Sequence, residues 1–369
     1  MSTTPHFLHL LKAEDIPCAA EGLLGQITPR ISRALGHVDL DGERPADQLQ
    51  LAAVRAALAE LSEPNAPASY TPAELDRFPK DRYEEHDTFF RVIRVGGGEN
   101  PLEEFLRGQL EAFEGHLCDS LQFGSDSSLS AEKKDHLRDG WTVMLALLQG
   151  YDPSRAIDGP GSRGGPAGAG GTARLAVPAE SGEGAELDPL VRWVLGHHSF
   201  FSMIQALIAT LSGAAASLRG DGSSARALID AAAVIMRGSA SALRYAGDFS
   251  PVLYARRVRP AMQPPHLEPK FSGLQSRDHR YLLEVLSDLR GLLVQKKARG
   301  NDEGTSNAAA SYRNFLDEMR NAYDEHKYVC ARFGGDTEPS LRMNPNSQIS
   351  STAILERFKA RRIQAADAE

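Results

Sequence analysis

The chain has 369 residues, 41 Lys and Arg against 49 Asp and Glu, a net charge of −8 and 41% hydrophobic residues. That apolar content can bury a core, which excludes a disordered chain. The acidic balance speaks against general nucleic-acid binding and against docking on an anionic membrane, because both need a basic face. Cys18, Cys118 and Cys330 are odd in number and widely spaced, so neither a disulfide framework nor a zinc ribbon can be read from them.

The first residues lack a basic segment followed by a long apolar run, so no secretory leader is expected. No run approaches about 18 consecutive apolar residues, so no membrane-spanning helix is expected either. A reducing cytoplasm is the expected location.

In chain order, residues 1–40 show no clear pattern. Residues 46–61 repeat apolar positions at helical spacing, and Pro64 and Pro67 follow them. Residues 71–76 offer a second helix start. Residues 88–95 (TFFRVIRV) are rich in strand formers and close on Gly96, Gly97 and Gly98. Those glycines lack both the GxGxxG and the GKS/T pattern, so a strand or extended arm is expected rather than a phosphate loop. Residues 101–123 open with proline at a first helical position and continue at helical spacing, and residues 131–149 repeat the style.

Residues 159–184 are Gly-, Pro- and Ala-rich without motif register, the composition of a flexible linker or loop. Residues 189–218 and 225–244 are rich in Ala, Leu, Ile and Met, as buried bundle helices are. Residues 251–259 are expected to be extended and 260–273 a proline-studded loop. Helices are expected over 278–299, capped by Asp278, and over 308–333, stopped by Gly334 and Gly335. A basic helix, 350–365, presents what reads as a solvated face. With little strand and no repeat, the fold class is all-α.

The 308–333 helix carries the informative stripe: Phe315, Leu316, Met319, Ala322, Tyr323, His326, Cys330 and Phe333. Residues four apart stand one above the other. One apolar face therefore offers an imidazole and, one turn on, a thiol. A haem needs such a surface, since iron takes an axial imidazole and a nearby thiol can reach a vinyl at the macrocycle rim. The bland alternative is a satisfied core histidine beside an inert cysteine, and the stripe alone fits both. A zinc site would want three or four ligands, and no second Cys/His cluster appears. His279, in a first helical turn beside the proline-rich loop, is the other candidate. It could serve as a second ligand, as an acid/base, or as an ordinary surface histidine. His197, His198 and His266 are weaker candidates.

The run Tyr254–Met262 (YARRVRPAM), with Pro264, Pro265, Phe271, Ser272, Gly273, Asp278 and His279, resembles the haem-dependent aromatic hydroxylases of the tryptophan 2,3-dioxygenase superfamily. The His279…His326-Lys-Tyr-Val-Cys330 pattern is similar to that of its 3-methyl-L-tyrosine hydroxylases, the peroxygenases of saframycin-type antibiotic biosynthesis. The resemblance implies a single helical domain over 1–369 built around one haem. It implies His326 as proximal ligand, Cys330 as a single thioether link and His279 as a second, displaceable ligand with an acid/base role. It implies hydrogen peroxide as co-substrate and a small aromatic amino acid as substrate, hydroxylated beside its phenol. Plain tyrosine or an indole as substrate, or a non-catalytic haem sensor, are the alternatives. Arg259 and Arg277 are candidates for the substrate carboxylate or for a haem propionate. Neither nucleic acid nor membrane is expected as a partner. The composition permits a homo-oligomer without requiring one.

Overall fold

The computed structural model describes residues 6–19, 28–37, 47–72, 74, 83–124, 127–148, 187–268, 271, 276–300, 303–334 and 349–366. The Gly-rich segment 159–184 and half of 71–76 lie outside them. Among the described residues, the longer helices are α1 (Pro29–Gly36), α2 (Asp47–Glu60), α3 (Tyr83–Phe89), α4 (Pro101–Phe123), α5 (Ala131–Leu148), α6 (Pro189–Arg219), α7 (Ala225–Ala246), α8 (Arg277–Arg299), α9 (Glu303–Gly334) and α10 (Ser351–Ala366). Two short strands, β1 (Leu8–Leu11) and β2 (Val92–Val95), pair in parallel with Leu8 opposite Val92. The all-α expectation holds.

Local chemistry starts these helices where the sequence signals them. Asn100 caps α4 by accepting from the Glu103 N–H at 3.3 Å, and Pro101 occupies the first turn, where no N–H is needed. Asp188 does the same for α6, accepting from Leu190 N at 2.9 Å ahead of Pro189. α6 is apolar nearly all round, with a mean hydropathy of 1.5 over an 18-residue window. It is long and apolar enough to cross a membrane, but 83% of that window is buried among the other helices. It serves as the central core helix, with α4, α7 and α8 packed on it and α9 and α5 packed on α7.

The α6–α7 crossing is close because Gly196 has no side chain. A Cβ there would stand 2.4 Å from the Ala246 Cα and 2.6 Å from its nitrogen. Backbone cannot yield as a flexible side chain can, so Gly196→Ala is expected to destabilise the fold by at least about 1–3 kcal/mol. A denaturant midpoint equal to the parent's would contradict the tight crossing.

Four expectations are corrected. Residues 251–259 are not extended: Ser250 accepts from Leu253 N at 3.3 Å, and a short helix, Pro251–Leu253, runs into a π turn, Tyr254–Val258. The capping serine and the first-turn proline outweigh the strand-forming side chains. The run 88–95 is split, with Phe89 still helical and β2 beginning at Val92 after Arg91, whose φ is +54°. Asp278 does not cap α8; it lies inside the first turn, follows Ser276 at the cap position, and is buried against Arg94. Finally, α9 continues through Gly334 rather than stopping before it.

Candidate functional site

α9 lies along α7 and carries the predicted stripe. Phe315, Leu316, Met319 and Tyr323 are buried in the core. One turn further, His326 and Cys330 are only partly covered, although protein surrounds them. That combination describes side chains lining a recess rather than an outer surface. Burial, then the charge of Arg362, lowers the His326 pKa to about 4, so near neutral pH the ring is the uncharged imidazole that can ligate a metal. Burial alone pushes the Cys330 thiol up to about 12, which keeps it protonated.

An aromatic wall borders this end of α9. Phe333 stacks on Tyr254 at 4.2 Å and 7° and on Phe249 at 5.3 Å. Gly247 makes the approach possible, because a Cβ there would meet both Phe333 and Val329 at 3.0 Å. Trp193 of α6 faces Tyr254 and Phe333 and touches the ring of His197 at 4.6 Å.

His279 stands in the first turn of α8, as expected. Its Nε2 accepts from Arg362 Nη1 at 2.5 Å, and the same Nη1 donates to the Tyr323 hydroxyl at 2.8 Å. Arg362 belongs to α10, the helix that reads from sequence as a solvated basic face. That reading is corrected at this position: Arg362 is partly buried and turned toward His279 and α9. The structure thus links His279 to the neighbourhood of His326 through one guanidinium.

The residue before His279 fixes where α8 begins. Arg94 Nη1 donates to both Asp278 oxygens, at 2.9 and 2.7 Å, while Arg94 Nε donates to Asp87 at 2.9 Å. Gln205 of α6 bonds the Leu11 carbonyl at 2.8 Å and reaches Asp278 at 3.4 Å. Burial works against the Asp87 charge, but Arg94 and His86 outweigh it and hold the carboxyl down at about 2. At Asp278 burial prevails, and its pKa is raised.

The two arginine candidates stand at the start of α8 and directly after the π turn. Arg277 is buried, with its guanidinium 3.9 Å from the Tyr70 ring and 4.5 Å from the Tyr83 ring, and it donates to the Glu74 carbonyl at 3.1 Å. Arg259 follows the π turn and is partly buried. His266 is exposed in its loop. His197 and His198 are core residues: His197 Nδ1 pairs with the Trp193 carbonyl at 2.6 Å and His198 Nε2 with the Phe90 carbonyl at 2.5 Å.

Sequence reasoning missed three contributors. Arg94 did leave a signal, a charge within the apolar run VIRV. His86, wholly buried against Phe90 and Phe201, left none. Arg362 was hidden among neighbouring arginines and lysines on the same helix.

Burial lowers the pKa of both His197 and His198 from 6.5 to about 3. Their unfolded rings take protons below about pH 6.5, and the folded ones refuse them until about pH 3. The unfolded state binds more protons across that window, so stability falls as pH drops through it, by roughly 1 kcal/mol per pH unit for each ring. Denaturant melts at pH 7 and pH 5 should show the acid loss; equal stability at both would mean the rings are not held neutral.

No group of three or more His, Cys, Asp or Glu that could hold a bare metal ion occurs among the described residues. An imidazole and a thiol one turn apart, beside aromatic rings, instead suit a metal whose remaining positions are filled by its own macrocycle. The residues present therefore fit a haem.

Comparison with known proteins agrees with this reading of the fold. The family model for the SfmD 3-methyl-L-tyrosine peroxygenases matches residues 9–307. A 3-methyl-L-tyrosine peroxygenase of Streptomyces lavendulae is 30% identical over 368 residues, covering 99% of this chain and 91% of its own. A crystal structure of reduced SfmD, obtained by soaking with sodium hydrosulfite, superposes with a TM-score of 0.57 at 27% identity, over 86% of this chain and 96% of that one. The chain belongs to the SfmD 3-methyl-L-tyrosine peroxygenase family and is an enzyme, an oxidoreductase.

Proposed function

We propose that this enzyme is a haem-dependent peroxygenase that hydroxylates 3-methyl-L-tyrosine ortho to its phenol, giving 3-hydroxy-5-methyl-L-tyrosine for tetrahydroisoquinoline antibiotic biosynthesis. The observation that carries the reading is the neutral, recessed His326 with Cys330 one helical turn beyond it. The relative's name supplies the substrate, and a relative with a reduced form is consistent with a redox centre.

In this reading His326 is the ligand provided by α9, Cys330 ties the cofactor through one thioether, and His279 is the second ligand. When bound, the haem supplies peroxide activation and oxygen transfer to the ring. The protein's part is positional and protonic. His279 sits at the start of a helix fixed by the Asp278–Arg94 pair, so its ring can change partners while its backbone stays in place. Away from a metal, its Nε2 can take a proton from peroxide and return it to the departing oxygen. The Tyr254, Phe249, Phe333 and Trp193 wall keeps one side of the recess apolar.

The test is a product assay. Haem-loaded enzyme with hydrogen peroxide and 3-methyl-L-tyrosine should form the singly hydroxylated product, and His279→Ala should lower the rate by roughly 10²–10⁴, the span of general acid–base catalysis. A hydrophobic pocket separates one methyl by only about 1–3 kcal/mol, so weaker turnover of plain tyrosine is expected beside it. Haem-loaded protein that ignores peroxide and phenolic amino acids alike would contradict the assignment.

A further inference from the structure

Arg362, like Arg277, lacks the carboxylate partner that most inward-reaching arginines have among the described residues. Arg94 pairs with Asp87 and Asp278, Arg192 with Asp119, Arg237 with Glu318, and Arg244 with Glu325. No carboxylate pairs with Arg362 among the described residues. Its two hydrogen bonds go to uncharged groups, the His279 ring and the Tyr323 hydroxyl. Both use Nη1. The Nε–Nη2 edge, which forms the side-on bidentate pair with a carboxylate, hydrogen-bonds nothing among the described residues.

The side chain is held for this role. Its guanidinium carbon lies 5.2 Å from the Phe358 ring and 5.9 Å from the Tyr323 ring. α10 is fastened to α9 by the Tyr312 hydroxyl donating to the Ala366 carbonyl at 2.8 Å, and by Lys359 on Asp324 and Lys327 on Glu356, both at 2.6 Å. A partly buried cation is costly without a counter-ion, so a cation placed here, with its bidentate edge unused, is built to meet an anion.

We propose that Arg362 is the carboxylate-binding residue of the site, carried in by the C-terminal helix. The proposal rests on the peroxygenase reading above. The carboxylate belongs either to the amino-acid substrate or to a haem propionate, and binding measurements separate the two. Arg277 and Arg259, the candidates from sequence, are not joined to His279 in this way.

The experiment titrates haem-loaded enzyme by calorimetry, without peroxide, against 3-methyl-L-tyrosine and against 3-methyltyramine, which lacks the carboxylate. Arg362→Gln and Arg362→Lys are compared with the parent, with thermal melts to show that each folds. Wild type should prefer the amino acid by about ten- to a hundredfold. The Gln variant should lose that preference and the Lys variant should recover part of it. If the preference survives in the Gln variant while, in a Cys330→Ser background that has no thioether, Arg362→Gln speeds haem release to apomyoglobin by about tenfold or more, the carboxylate is a propionate. A folded Gln variant with unchanged preference and unchanged haem release overturns the proposal. Wild type that takes up haem but binds neither compound overturns the peroxygenase reading as well, so the two failures can be told apart.

Discussion

Replacing His326 by alanine is expected to abolish stable haem uptake and, with it, peroxygenase activity. The argument is chemical: the ring is the neutral donor on α9, set in a recess with no other histidine on that helix. Loss of an outer-shell partner of a metal ligand already costs roughly 10–100-fold in affinity, and loss of the ligand itself should cost more. The variant should still fold, because His326 is only partly covered and the buried stripe of Phe315, Leu316, Met319 and Tyr323 is untouched. The check is haem content and the Soret band after purification with haem in excess, beside a thermal melt. A folded His326→Ala protein with full haem content and parental activity would move the centre elsewhere.

Arg94→Met should have the largest effect on stability. It removes the cation between Asp87 and Asp278 and leaves the buried Asp278 and the partly buried Asp87 without it. Breaking a buried pair by deleting one partner costs about 3–5 kcal/mol. Asp278→Asn should cost less, since Arg94 keeps Asp87 and the amide can still accept a hydrogen bond. The consequence reaches function because Asp278 precedes His279. Loosening the start of α8 should reduce turnover beyond what the stability loss explains, seen as lower kcat at temperatures where the variant is fully folded. If Arg94→Met melts like the parent, the network is not what anchors α8.

The elements legible in the sequence are those governed by local chemistry. α4 and α6 begin at an Asn or Asp cap followed by proline, and their periodic apolar residues extend them as far as the sequence indicates. The His326–Cys330 stripe was legible because helical spacing alone puts both residues on one face. What escaped depends on distant partners. Asp278 is placed as a cap would be, but Arg94, 184 residues away in sequence, claims its carboxylate. The 350–365 helix has the composition of a solvated face, and only the packing of α10 on α9 and α8 turns Arg362 inward. The parallel pairing of β1 with β2 joins segments some 80 residues apart and could not be read from either strand.

The most direct measurement of the central claim is the mass of the chain after acid–acetone denaturation, for protein produced with haem available, with Cys330→Ser run in parallel. The account predicts that the wild-type chain keeps the mass of one haem and that the serine variant releases it. Wild type that binds haem but surrenders all of it to the solvent would contradict the thioether and make Cys330 a packing residue. Wild type that takes up no haem at all would contradict the assignment of His326.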